Sequence, residues 1–166
     1  MDEGALDMVL NAGLIGAGAT AFLDLYAVGR ARLARAAMPD YAPVGRWIAH
    51  MVRGRFVHEA IGKSAPVAGE RLIGWSAHYL IGIAFAGVLL LVWPDWAQRP
   101  TLLPALIVGI ASVAAPFLLM QPGMGLGVAA SRTPNPTAAR LRSLTTHTVF
   151  GLGLYATGWV LRAFPF

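Results

Sequence analysis

The chain has no cysteine and little charge. Without cysteine there is no disulfide, no thiolate metal site, no iron–sulfur cluster and no cysteine nucleophile. Only 13% of the 166 residues are charged, about half the roughly 25% usual in a soluble domain. Acidic residues are the scarcer sign, with 8 Asp and Glu against 13 Lys and Arg. Serine nucleophiles lack a setting too, because Ser76, Ser112, Ser131 and Ser143 lie outside any Gly-x-Ser-x-Gly pattern. Met1-Asp2-Glu3-Gly4 lacks the positive start of a signal peptide, so the first apolar run reads as a retained transmembrane helix.

Apolar residues make up 57% of the chain and gather into runs near twenty residues, which points to a bilayer as solvent. The reading is all-α: one domain, an integral membrane four-helix bundle. Its spans are about 8–28, 73–93, 102–120 and 144–161. At about 1.5 Å per residue such lengths cover a hydrocarbon core of roughly 30 Å. Trp75 and Tyr79 near one end of the second span, and Trp93 and Trp96 near the other, form an aromatic-belt pattern. Pro94 to Pro100 is a tight connection, and Pro116 should kink the third span near its far end.

The loops carry the charge. Eight Lys or Arg fall in 29–72 (Arg30, Arg32, Arg35, Arg46, Arg53, Arg55, Lys63, Arg71) and three in 121–143 (Arg132, Arg140, Arg142); Arg99 and Arg162 complete the set. The positive-inside rule makes both basic loops cytoplasmic and both termini external. The net charge of +5 then marks contact with anionic lipid headgroups rather than nucleic acid. From Pro43 a short amphipathic helix should run, with Val44, Trp47, Ile48 and Met51 on one face and Arg46, His50 and Arg53 on another. It either lies in the membrane interface or packs on the bundle. Arg46, Trp47, Arg53, Trp75 and Tyr79 are the candidate lipid-interface residues. A second short helix is expected at Phe56–Ile61. Gly at alternate positions of 121–132 suggests a flexible or membrane-dipping loop; it lacks the Gly-Lys-Ser/Thr ending of a phosphate-binding loop.

Three ionisable residues share one depth. Asp24 lies four residues before Val28, His78 five after Ile73 and His147 three after Leu144. All three are then roughly 5–8 Å inside the cytoplasmic edge. Each shares a helix stripe with small residues: Asp24 with Thr20, Ala17 and Gly13; His78 with Gly74, Gly82 and Ala86; His147 with Gly151, Leu154 and Gly158. Small residues mark helix–helix faces in bilayers, so each ionisable group should point into the bundle. Four readings follow. The three pin helices together; they bind a proton or solute; with or without Glu59 they hold a divalent metal; or His78 and His147 ligate haem. His58-Glu59 is a weaker candidate, because the zinc-protease pattern His-Glu-x-x-His is absent.

Four stretches resemble a known family. They are Gly16-Ala17-Gly18-Ala19-Thr20 with Asp24; Val44-Gly45-Arg46-Trp47 with Gly54-Arg55-Phe56-Val57-His58-Glu59-Ala60-Ile61; Gly69-Glu70-Arg71 with Gly74-Trp75 and His78-Tyr79; and Pro116 through Ala130-Ser131-Arg132-Thr133-Pro134-Asn135-Pro136 to Arg140-Leu141-Arg142-Ser143-Leu144 and His147. Together they resemble small bacterial inner-membrane proteins classed as domain of unknown function 2938. The resemblance spans nearly the whole chain and implies a four-helix membrane protein. It supplies no activity, substrate or catalytic residue. From the residues themselves, the expectation is a transporter-like or ligand-binding membrane protein using Asp24, His78 and His147. A non-catalytic scaffold is the alternative and a membrane metalloenzyme the third. Transport through so narrow a bundle would need a homo-oligomer.

Overall fold

The computed structural model describes residues 3–164, and all regular structure among them is helical. The long elements are α1 (Glu3–Ala34), α2 (Ala42–Met51), α3 (Glu70–Val92), α4 (Leu102–Ala111) and α5 (Pro136–Ala163). Three segments are long and apolar enough to cross a membrane: Gly4–Ala34, Glu70–Val92 and Leu102–Gly123. The expected fourth span, α5, is not among them. Thr145, Thr146, His147 and Thr148 dilute its apolar run, and its glycines add little. Those glycines have another use, as the packing shows.

The chain forms two compact units. Unit 1 comprises 1–38, 79–111 and 146–166. Its core holds Ile15, Leu89 and Leu154, all but fully buried. Helices meet there through residues without bulk. A Cβ on Gly16 would strike the backbone of Gly82 and Ile83, one on Gly82 would strike Thr20, and one on Gly109 would strike Gly151. Gly153 faces Ala19, and Gly158 faces the Trp96 ring. So α5 presents Gly151, Gly153 and Gly158 to its neighbours, and its low apolarity reflects the demand for close approach. Large apolar side chains such as Leu25, Leu80, Leu91 and Leu103 stand 64–70% exposed. That inverts the pattern of a soluble protein and fits lipid.

Several ends differ from expectation. α1 runs on to Ala34 and takes Arg30 and Arg32 into the helix, since Ala, Leu and Arg are good helix formers. α5 begins at Pro136, eight residues early, because Asn135 caps it: its side-chain oxygen accepts from the Ala138 N–H at 3.1 Å and proline suits the first turn. Trp96 does not belong to an exposed belt. It is 3% exposed, and its indole N–H donates to the Thr101 carbonyl at 3.0 Å.

Unit 2 comprises 39–78 and 112–145. The break at Pro116 lies here as expected. The helix loosens at Ser112–Val113 and widens into a π-helical turn over Pro116–Met120, because proline lacks an N–H and crowds the carbonyl four residues back. α2 starts after Asp40, whose side chain accepts from the Ala42 N–H at 3.0 Å. Gly45 lies against the Glu70 backbone and Gly74 against that of Tyr41, so α2 packs directly on the start of α3. His50, expected on a polar face, is buried.

No helix forms at Phe56–Ile61. The backbone is extended through Ala60 and makes one short turn at Ile61–Lys63. Its hydrogen bonds go to another loop instead: His58 N–H donates to the Gly123 carbonyl at 2.8 Å and Ile61 N–H to that of Met124 at 3.0 Å. The 121–132 segment likewise carries backbone hydrogen bonds. Leu126 N–H donates to Gln121 and Arg132 N–H to Leu126, at 2.8 and 2.9 Å. Gly125 at φ +90° sits against the Glu59 carbonyl, a place and a conformation that only glycine fills readily.

Candidate functional site

Asp24, His78 and His147 each have a defined partner. In unit 1, the Tyr79 hydroxyl donates to Asp24 Oδ2 at 2.9 Å, joining residues 55 apart in sequence. Sequence reading placed Tyr79 in the aromatic belt; in the structure its hydroxyl reaches the neighbouring helix. One turn from Asp24, Thr20 is 1% exposed and its hydroxyl donates to the Gly16 carbonyl at 2.8 Å. His147, also in unit 1, is half-buried and hydrogen-bonds to the Gly109 backbone.

His78 belongs to unit 2 and lies among aromatics. Its Nε2 is 3.2 Å from the Tyr41 hydroxyl, and the two rings stack with centroids 4.3 Å apart. Trp75 meets both, at 4.8 Å from Tyr41 and 5.7 Å from His78, edge-on. Consecutive helix positions point about 100° apart, so His78 and Tyr79 serve different partners. Tyr41 escaped the sequence reading, since it precedes α2 with no periodic pattern to flag it. Among the described residues, no group of three or more His, Asp or Glu side chains is placed to hold a metal ion.

A second polar centre was invisible in the sequence. Arg46 on α2 grips Glu70 at the start of α3 through two bonds, Nη2 to Oε1 at 2.7 Å and Nε to Oε2 at 2.8 Å. The same guanidinium donates to the Ser64 carbonyl at 3.1 Å and, longer, to that of Ile61 at 3.3 Å. Glu70 Oε2 also accepts from the Val67 N–H at 2.9 Å. The pair therefore ties α2, the 61–67 loop and α3 together while only 13% and 16% exposed. Trp47 adds a tether, its indole N–H donating to the Phe56 carbonyl at 2.8 Å while its ring covers Gly123. Arg53 is exposed.

His58 and Glu59 part company, as adjacent residues do. Glu59 is exposed. His58 is 2% exposed, with Nδ1 3.0 Å from the Ser64 hydroxyl. Burial, reinforced by the Arg55 charge, pushes the His58 imidazole below its ordinary pKa, so its neutral form prevails at neutral pH.

A family model described as a protein of unknown function (DUF2938) matches residues 13–161. No curated protein and no solved structure matches the chain.

Proposed function

From the premise that the chain belongs to the DUF2938 family, we propose that it is a four-span bacterial inner-membrane protein that binds a proton or small cationic solute at Asp24, in a transporter-like role. The observation that carries this reading is the Tyr79–Asp24 hydrogen bond inside the apolar segments. A carboxylate at such depth is costly unless partnered. A phenol O–H stabilises the carboxylate without cancelling its charge. A proton or a cation cancels it, and that difference is what a coupled site uses.

The orientation in this proposal has the basic loops 29–72 and 121–143 in the cytoplasm and both termini outside, by the positive-inside rule. Asp24 then lies near the cytoplasmic edge, within reach of that side. α5 is the fourth span; its glycine contacts with α1 and α4 support the assignment. Conduction through so few helices calls for a homo-oligomer. A second reading, a non-catalytic scaffold, is favoured by the backbone-close packing at Gly16 and Gly109, which holds helices at fixed spacing.

Asp24→Asn separates the two. The amide oxygen still accepts from Tyr79, so stability should fall by only about 1 kcal/mol, the difference between a charged and a neutral acceptor. Binding of a proton or cation should vanish. The measurement is solute or proton flux in liposomes driven by a pH gradient, beside thermal unfolding in detergent. Wild-type flux lost in folded Asp24→Asn supports the proposal. Equal flux in both, or none in the wild type, leaves the scaffold reading.

A further inference from the structure

Unit 2 holds two buried polar atoms without a hydrogen-bond partner, His58 Nε2 and Gln121 Oε1. Their side chains belong to residues 2% and 6% exposed. A buried acceptor left unpaired is costly, and native structures rarely keep one without a reason. The surroundings of His58 suggest the reason. Its Nδ1 is taken by the Ser64 hydroxyl at 3.0 Å. If that nitrogen donates, Nε2 carries the lone pair. A second imidazole, His50, 7% exposed, stands with its ring centroid 5.0 Å away and its plane tilted by 47°.

That spacing has a meaning. Two imidazoles on one tetrahedral ion, with metal–nitrogen bonds of about 2.0–2.1 Å, place their ring centroids about 5 Å apart. We propose that His50 and His58 bind a divalent transition metal of the zinc class, His58 through Nε2 with Ser64 as its positioning partner. Water completes the shell. Histidine bound to metal usually has its other ring nitrogen hydrogen-bonded in this way. Both histidines are already held by backbone bonds. The His50 carbonyl accepts from the Arg53 and Arg55 N–H groups at 3.0 Å each, and His58 N–H donates to Gly123 at 2.8 Å. Neutral imidazole ligands bring no charge. With Arg55 close by, affinity should be lower than at a thiolate site and selective for ions that favour nitrogen. The site uses none of Asp24, His78 and His147 and does not rest on the function proposed for them.

The test uses the full chain purified in detergent, stripped with chelator and titrated with Co²⁺ as an optical probe, then challenged with Zn²⁺. The proposal expects stoichiometric Co²⁺ with the ligand-field bands of nitrogen–oxygen coordination, displaced by Zn²⁺. His50→Ala and His58→Ala should each abolish it. Ser64→Ala should weaken it by about 10–100-fold. A His78→Ala/His147→Ala double variant should bind as wild type does. Should the histidine variants fail to fold, the wild type still decides: its thermal midpoint should rise with Zn²⁺ and not with Mg²⁺. No stoichiometric metal in the wild type, unchanged binding in folded His58→Ala, or loss in the His78/His147 variant overturns the proposal.

Discussion

Gly16→Leu is expected to abolish folded unit 1, whereas Gly13→Leu three residues earlier should be tolerated. The two glycines look alike in sequence, both on the small-residue side of α1. Around Gly13 an added Cβ meets nothing within 4 Å, while at Gly16 it meets the backbone of Gly82 and Ile83. Backbone cannot rotate aside as a side chain can. Overpacking costs typically 1–3 kcal/mol, and a clash with main chain belongs at about 3 kcal/mol or beyond. A leucine is larger still and would part α1 from α3. At Gly13, removing a helix glycine should be neutral or gain up to about 1 kcal/mol. Monodispersity on size exclusion and the thermal midpoint in detergent are the readouts. Equal behaviour of the two variants would contradict the packing described for α1.

Arg46→Ala is the second large effect, expected to destabilise unit 2, because the Glu70 carboxylate loses both of its bonds to the guanidinium. The substitution also frees the Ile61 and Ser64 carbonyls. Arg46→Lys should recover little, since an ammonium cannot make the two parallel bonds of the guanidinium. A paired Arg46→Met/Glu70→Met exchange should be milder than the sum of its parts, as it leaves no lone charge. Tryptophan fluorescence during denaturation follows the change, because Trp47 and Trp75 both belong to this unit. An unchanged denaturation midpoint in Arg46→Ala would mean that the pair behaves as a surface bridge.

Three of the four expected membrane segments were legible because the bilayer dictates them: a long apolar run has few other homes. Asp24 stood out as the one ionisable residue in its run, and Pro116 as a break in another. What the sequence concealed was pairing. Tyr79 lies 55 residues from Asp24, and Glu70 24 from Arg46; no periodicity links such positions. His50 fell on the polar side of a helical wheel, but α2 is covered on more than one face, so the wheel placed it wrongly. The alternating glycines of 121–132 suggested mobility. They serve instead for positive φ at Gly125 and Gly127 and for contact with Trp47 at Gly123. Such glycines fix a loop in place. Asn135-Pro136, a capping side chain before a first-turn proline, starts α5 eight residues before the expected span at 144.

The proposed four-span topology depends on α5, whose apolar run is diluted by Thr145, Thr146, His147 and Thr148. The absence of native cysteine makes a direct measurement simple. Thr137→Cys and Ala163→Cys place single thiols at exposed positions near the two ends of α5. In sealed cells and inverted vesicles, a membrane-impermeant thiol reagent should label position 137 only from the cytoplasmic side and position 163 only from the other. Labelling of both positions from one side would contradict the four-span account.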